Sequence, residues 1–443
     1  MAGNLRIYIA ISNFLPLVGG AEKQALAQAR SLRERGYETT IITLRHDKVW
    51  PRREMIDSVP VIRVAGILLA DRERLPQLLK KLVYLMGLLV LGWTLWHHRQ
   101  RYDVLHVYQL NLLALPTALA CRLSNKPMII AVRSTSTINT VRSESNASLL
   151  AESNGATVLS PRVEGQREIG GDLAPLEALG KPVVRLTRAL LQSVHAVVIV
   201  LSSRMVSYLA AHGFSLPGTR LIPNGVDISR FSPLHEDSSL EERAQVVVCI
   251  SKLRYEKGID VLLQAWHLLQ EQLLQPPRTR LIIVGDGPLQ SQLEHLATTL
   301  GIADSVEFAG LQNDVQAQLH RGSLAVLPSR WEGMPNALLE AMACSMACVA
   351  TRVSGSEDII QHGVNGLLVE PGDYQGMAQA LLTLLLDRAL AQEYGKAARE
   401  TVEKYYAFEH ITDMYVELYH RIAEDRYSII KDMPASEMFR LPF

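Results

Sequence analysis

The feature that most constrains this chain is an alternation of short, β-branched apolar runs with longer stretches of helical periodicity, repeated in two blocks. In the first block, residues 6–12, 38–44, 61–64, 104–107, 128–132 and 196–201 read as strands, with helices over 21–35, 75–97 and 112–123. In the second, 246–250, 280–284, 306–308, 324–327 and 347–350 read as strands, and helices open near Gly258, Pro288, Val315, Pro335 and Tyr374. A strand followed by a helix does not turn back in a hairpin; the next strand joins in parallel, and the helices cover both faces. The predicted class is therefore α/β, with two doubly wound, Rossmann-like domains. At 443 residues the chain exceeds the length at which a single core keeps growing. The break falls at Pro223-Asn224-Gly225-Val226-Asp227 and the polar residues 232–242 behind it, giving domains over 1–222 and 223–407 and a tail over 408–443. Ligands of such sheets bind outside the carboxyl ends of the strands, so two facing domains predict a shared crevice there.

Composition narrows the partners. Lys plus Arg and Asp plus Glu are 45 each, and a balanced chain lacks the concentrated positive charge that non-specific nucleic-acid binding needs. Cys121, Cys249, Cys344 and Cys348 form no disulfide framework and no metal-ligand spacing, which predicts a reduced, cytoplasmic setting. The apolar run at 7–11 is too short for a signal peptide and reads as a strand. Residues 82–96 are almost wholly apolar but fall short of the roughly 20 that span a bilayer. Lys80, Lys81, His97, His98, Arg99 and Arg101 flank them, so the segment reads as a buried helix or as a peripheral contact at the inner face of a membrane. Residues 134–181 are polar and without clear period, a long functional loop by expectation. The glycosylation-type triplet Asn146-Ala147-Ser148 within it has no secretion signal to accompany it.

Turns at strand ends carry the chemistry available to the crevice. The richest is Ser329-Arg330-Trp331-Glu332-Gly333-Met334-Pro335-Asn336-Ala337-Leu338-Leu339-Glu340, behind the strand 324–327. Gly333 and Pro335 are residue types that precede and open a helix, so the amides of Gly333, Met334, Asn336 and Ala337 are expected as free donors for a phosphate. Leu338 follows in the same first turn and joins the expected donor-binding set. Glu340, just over a turn in, leans back toward the helix start. A phosphate would repel it, so its expected partners are neutral hydroxyls such as those of a ribose. Glu332 stands before the helix at the crevice mouth, placed to hold a donor sugar. The plainer reading of the two glutamates is an acidic helix N-terminus favoured by the dipole.

A second turn, Ser251-Lys252-Leu253-Arg254-Tyr255-Glu256-Lys257-Gly258, sets cations at the crevice edge, where they would lower the barrier to a departing diphosphate. Arg254 reads equally well as part of a solvated loop. The glycines of Val18-Gly19-Gly20-Ala21-Glu22 let backbone approach a ligand closely, without the G-x-G-x-x-G of a dinucleotide site. Val284-Gly285-Asp286-Gly287-Pro288 ends a strand in a tight turn, placing Gly285 and Asp286 beside the crevice. No D-x-D triplet offers a carboxylate seat for a nucleotide-bound metal, and no Walker sequence occurs. No cofactor and no metal are expected.

In this order the motifs resemble glycosyltransferase family 4, a retaining group with the GT-B fold, over nearly the whole chain. The string E-G-M-P-N-A-L-L-E-A-M-A, with Glu332 and Glu340 eight apart, carries most of the likeness; residues 223–227, Lys257-Gly258, 283–288, 306–310 and 363–369 support it. The resemblance implies that Glu340 holds the ribose hydroxyls, Glu332 the donor sugar and Lys257 the diphosphate, with the Gly19-Gly20 loop closing over it. It implies that backbone over 310–313, Leu311 included, meets the base, and that a last helix near 408–426 crosses back to the first domain. It also implies front-face transfer with retention, the phosphate itself taking the acceptor proton. Two positions depart from the family pattern. Lys252 stands where Arg is common, keeping the charge but losing the bidentate fork. Arg133 follows the strand 128–132 where His is common, and is carried as a catalytic candidate meeting a phosphate or sugar hydroxyl.

The expected function is thus metal-independent transfer from a nucleoside diphosphate sugar, UDP by preference, to a saccharide or lipid-linked saccharide held by the first domain. Epimerisation of a nucleotide sugar is an alternative with no titrating residue to support it. A catalytically silent nucleotide-binding partner is another, and intact Glu332, Glu340 and Lys257 argue against it.

Overall fold

The computed structural model describes residues 5–17, 19–65, 77–134, 171–214, 216, 218–234, 245–273 and 279–424. Val18, most of the 134–181 loop with its Asn146 triplet, residues 235–242 of the boundary stretch and the tail beyond 424 lie outside the described residues.

The first domain is built on one sheet of β1 (Arg6–Ile11), β2 (Glu38–Arg45), β3 (Arg53–Ile56), β4 (Val59–Ala65), β5 (Val104–Val107), β6 (Met128–Val132), β7 (Val197–Val200) and β8 (Arg220–Leu221). Their order is β3-β4-β2-β1-β5-β6-β7-β8. Every pair is parallel except β3–β4. Its helices are α1 (Gly20–Glu34), α2 (Gln77–His97), α3 (Ala114–Ser124), α4 (Lys181–Ser193) and α5 (Ser203–Ala211). Strand alternation sends side chains to two cores. Ile7, Ile9 and Ile11 pack with Ala25 and Ala29 of α1, whereas Tyr8 and Ala10 share a core with Leu88, Leu91 and Leu95 of α2.

The second domain repeats the plan with β9 (Val246–Ile250), β10 (Arg280–Val284), β11 (Val306–Gly310), β12 (Leu324–Leu327), β13 (Ala347–Thr351) and β14 (Leu367–Val369). All are parallel, in the order β11-β10-β9-β12-β13-β14. Its longer helices are α6 (Ile259–Gln272), α7 (Gln290–Thr299), α8 (Asn336–Ala343), α9 (Tyr374–Leu386) and α10 (Arg388–Tyr405). In both sheets the order reverses beside the first strand, at β1/β5 and at β9/β12, which is where a ligand crevice opens.

The last helix, α11 (Phe408–Glu424), leaves the second domain and lies against α1 and β5. Its Ile411, Tyr415, Leu418, Tyr419 and Ile422 join the core of Ile7, Ile9 and Ala29, and Arg35 bonds Asp413 at 2.7 Å. The domains also meet where Asp358 of the second caps α5 of the first. It accepts from the amide of Ser203 at 3.1 Å and from its hydroxyl at 2.6 Å. Burial pushes the Asp358 carboxyl up, against these two hydrogen bonds.

Of the elements named, β3, β8, β14, α4, α5 and α10 were absent from the sequence reading. The edge strand β3 is half polar, so its alternation is masked, and β8 and β14 are only two and three residues long.

Candidate active site

The turns singled out in the sequence all leave carboxyl ends of strands near the two switch points: Gly19-Gly20 after β1, residues 251–258 after β9, 285–288 after β10 and 328–335 after β12. Backbone crowding fixes how they meet. Gly258 has φ 63°, and a Cβ there would lie 2.1 Å from the carbonyl oxygen of Pro328, so the β9 turn rests directly on the β12 turn. That contact brings Lys257 to Glu332, whose Oε1 accepts from Lys257 Nζ and, at 2.8 Å, from Ser329 Oγ. Gly285 at φ 139° similarly leaves no room for a side chain against Ser251. The amide of Leu253 donates to the carbonyl of Asp286 at 2.8 Å, while the Asp286 side chain stays exposed. Leu311, 72% exposed, stands on the open edge beyond β11, free to cover a flat ring.

The helix α8 begins at Asn336, and Pro335 sits just before it rather than as its first residue. Gly333, Met334, Asn336 and Ala337 donate no backbone hydrogen bond among the described residues, while the amide of Leu338 already bonds Pro335 O at 3.2 Å. Asn336 Oδ1 accepts from Asn224 Nδ2 at 2.8 Å and Gln24 Nε2 at 3.3 Å, and its Nδ2 reaches Gly20 O at 3.4 Å. This ties the start of α8 to the start of α1 through the interdomain linker. Met334 is buried beneath, its Sδ accepting from the amide of Asn224, and Leu338 is wholly buried.

Electrostatics separate the carboxylates. Burial pushes the Glu340 carboxyl up, against Lys23 and Arg230, and it has no hydrogen-bond partner among the described residues. Lys23 belongs to α1, so this carboxylate faces the crevice. Glu22 is also pushed up by burial; its own amide, Lys252 from the other domain and the Gly19 amide pull the opposite way. Three residues after the cap Gly19, it reaches back as the acidic member of a capping box does. Its carboxylate thereby lies beside amides that a phosphate at this loop would use.

Arg133 is placed apart from these groups. Its guanidinium lies 3.9 Å over the ring of Tyr108, and Nη1 donates to Asn224 Oδ1 at 2.8 Å. It borders a small cavity shared with Gln24, Gln28, Thr412 and Tyr415, with Nε and Nη2 unpartnered. Burial opposes its charge, and Tyr108, Tyr415 and Asp172 outweigh burial. Behind it, Tyr108 donates to Gln28, which bonds Tyr419 at 3.0 Å, which bonds His106 at 2.8 Å. Burial, aided by Arg133, holds His106 neutral.

The crevice thus unites Gly19, Gly20, Lys252, Lys257, Glu332, Glu340 and the start of α8, and sets Arg133 one step behind, on Asn224. Gln24, Asn224, Ser329 and the back-reaching Glu22 were not assigned from sequence. Only Glu22 had a legible signal, its spacing from the cap. Two lysines, an amide-rich helix start and two carboxylates suit a ligand with an anionic centre and hydroxyl-bearing ends.

Residues 19–225 match the Glycosyl transferase 4-like domain family, and residues 231–401 match Glycosyl transferases group 1. The chain is 34% identical over 192 residues to N-acetyl-alpha-D-glucosaminyl L-malate synthase of Bacillus anthracis, covering 43% of this chain and 49% of that protein. It is 29% identical over 178 residues to the UDP-Gal:alpha-D-GlcNAc-diphosphoundecaprenol alpha-1,3-galactosyltransferase of Escherichia coli, covering 38% and 46%. The match spans about half the length of these curated relatives. Among solved structures, Anabaena Alr3699/HepE in complex with UDP and glucose superposes with a TM-score of 0.68 at 19% identity, over 94% of this chain and 99% of that one. At that identity the likeness is one of fold.

Proposed function

The chain belongs to the GT-B glycosyltransferases of the family 4 type, and we propose that it transfers a sugar, with retention and without a metal, from a UDP-sugar to a saccharide or lipid-linked saccharide. The observation that carries this reading is the meeting of Lys257 with Glu332 while Glu340, facing α1, keeps its carboxylate without a hydrogen-bond partner among the described residues. Lys252, Lys257 and the free amides at Gly333–Ala337 take the diphosphate, with Gly19 and Gly20 closing from the first domain. Glu340 accepts from the ribose hydroxyls, Glu332 turns from Lys257 to the donor sugar, and Leu311 and the Gly285 turn flank the base. The sugar C1–O bond to the diphosphate breaks as the acceptor oxygen bonds C1 on the same face. The acceptor proton passes to a departing phosphate oxygen, and the cations and amides take up the charge left there.

Arg133 acts at one remove, through Asn224 and Asn336, to set the start of α8. Its unpartnered nitrogens face the cavity beside α11. The metal-free part of the proposal rests on the sequence, which has no D-x-D triplet to seat a nucleotide-bound ion. The names of the E. coli relative and of the Anabaena complex support the uracil base and, for the former, a lipid-linked acceptor.

Thermal stabilisation by UDP-, GDP- and ADP-sugars in EDTA, with release of free nucleotide followed by mass spectrometry, tests the donor half. UDP-sugars should stabilise the protein and release UDP slowly. Stabilisation by none of the three would sink the transferase reading, and activity recovered only with Mg²⁺ or Mn²⁺ would sink the metal-free one.

A further inference from the structure

The two faces of the first sheet differ in charge. On one, α3 packs between α2 and α4. These three helices carry Arg122, Lys181, Arg185 and Arg188 among their described side chains, and no Asp or Glu occurs in their sequences. On the other, α1 and α11 mix Glu22, Glu34, Glu409, Asp413, Glu417 and Glu424 with Lys23, Arg30, Arg33 and Arg421. In a chain with equal totals of acidic and basic residues, the first face is a local exception. Two acidic residues near this face are engaged by cations: Asp103 by Arg6 and Lys126, and Glu177 by His212.

The same face leaves large apolar side chains in solvent. Leu88, Leu91 and Leu95 bury one side of α2 against the sheet, yet Leu79, Leu82, Leu85, Met86, Leu89 and Trp93 on its other side are 42–65% exposed. Spacings of four, three and four from Leu82 through Met86 and Leu89 to Trp93 make one continuous stripe. From Leu79 to Trp93 it runs about 21 Å. Leu123 of α3 and Leu186 of α4 extend the apolar surface sideways, beside exposed Arg122 and Arg185. A soluble monomer rarely leaves a contiguous apolar patch of this kind uncovered.

We infer that the α2–α3–α4 face docks on an anionic lipid bilayer. An apolar stripe flanked by exposed Arg122, Lys181 and Arg185 fits acyl chains beneath acidic headgroups. A second copy of the chain fits poorly, since a two-fold pairing would set one cationic face against another. No helix among the described residues is long and apolar enough to cross a membrane, so the contact lies in the interface plane. In a doubly wound sheet the helices run opposite to the strands, so Leu79, Leu82 and Lys181 stand at the crevice end of the face. Docking would then hold the crevice mouth beside the lipid surface. The inference deepens the lipid-linked acceptor reading, and its test needs neither donor nor acceptor, so either can fail alone.

The test is co-sedimentation of the full chain with vesicles of phosphatidylcholine alone and of phosphatidylcholine with phosphatidylglycerol. Binding should appear with the anionic vesicles and weaken at least tenfold from low to high salt. A triple variant, Met86→Ser, Leu89→Ser and Trp93→Ser, should lose binding at least tenfold with an unchanged circular dichroism spectrum. Arg122→Ala with Arg185→Ala, which leaves the apolar packing alone, should lose mainly the salt-sensitive part. A chain that stays in the supernatant with anionic vesicles, or binds as well after either set of changes, overturns the inference. A dimer by light scattering that the triple variant dissociates, without vesicle binding, assigns the face to a second copy instead.

Discussion

The two walls of the crevice are made in different ways. The second domain builds its wall from turns that each lie within a few residues of a strand end; Lys252, Lys257 and Glu332 belong to those turns, and Glu340 lies about one turn into the helix that follows the last of them. The first domain contributes one short glycine loop and then relies on remote partners. Gln24 reaches Gly225 and Asn336, Arg133 reaches Asn224, and Gln28 reaches Tyr419, 391 residues away. The wall of the second domain is therefore written locally, as turn geometry, whereas that of the first depends on tertiary packing and on the helix that returns from the far end of the chain. Substitutions on the second domain's wall should alter chemistry without touching the fold; substitutions on the first domain's wall should mix the two.

The largest expected effect is on the local wall. Lys257→Ala should lower kcat for transfer by roughly 10²–10³, the scale of losing a fixed stabiliser of developing negative charge. Its unfolding midpoint should fall little, because among the described residues the Lys257 side chain bonds only Glu332, which keeps its hydrogen bond from Ser329. A large loss of stability with intact kcat would reverse the comparison. Glu340→Ala comes next. Losing a charged acceptor for two hydroxyls, at roughly 1.5–3 kcal/mol, corresponds to about ten- to a hundredfold weaker UDP binding by calorimetry. Unchanged affinity would remove the ribose role.

What was legible follows the same division. The α/β class, both sheets and the string from Glu332 to Glu340 could be read because β-branched runs, Gly-Pro punctuation and residue spacing are local signals. Asn224 was visible only as part of a linker motif; that its amide bridges Arg133 and Asn336 depends on where two domains come to rest. Arg133 shows the limit best. Its place after β6 suggested contact with a ligand, yet the ring of Tyr108 and the α11 side chains that surround it are fixed by contacts no short pattern encodes. Residues 82–96 presented a choice between burial and a membrane surface, and α2 has both a buried and an exposed apolar side.

Arg133 also supplies the next test. If it acts by holding Asn224, and through it Asn336 at the start of α8, Arg133→Met should raise the donor KM by roughly threefold to tenfold, the worth of about one hydrogen bond. The unfolding midpoint should fall as well, since Asn224 Oδ1 loses its partner. Arg133→Lys should recover part of the KM. A lowered midpoint with an unchanged KM would make the residue purely structural and leave the first domain's wall only its glycine loop as a link to the donor.

The smallest effect is the pH dependence, and it distinguishes the walls most directly. Burial raises the carboxyls of both Glu340 and Glu22, so the folded, donor-free protein holds more protons than the unfolded chain between the ordinary Glu value, about 4.3, and the raised values. Stability should therefore rise as pH falls through that window, opposite to the behaviour of a salt-bridged carboxylate. Binding of UDP has the reverse sign at Glu340, because the ribose hydroxyls need its charged form. Affinity should weaken, by less than the Glu340→Ala limit, as pH falls through the raised value. Glu340→Gln should flatten that profile, whereas Glu22→Gln should leave its shape in place while removing a competitor for the Gly19 amide. Calorimetry across pH on the two variants decides between the walls. A profile flattened by Glu22→Gln and not by Glu340→Gln would mean that the glycine loop of the first domain, rather than the helix of the second, senses the donor's charge.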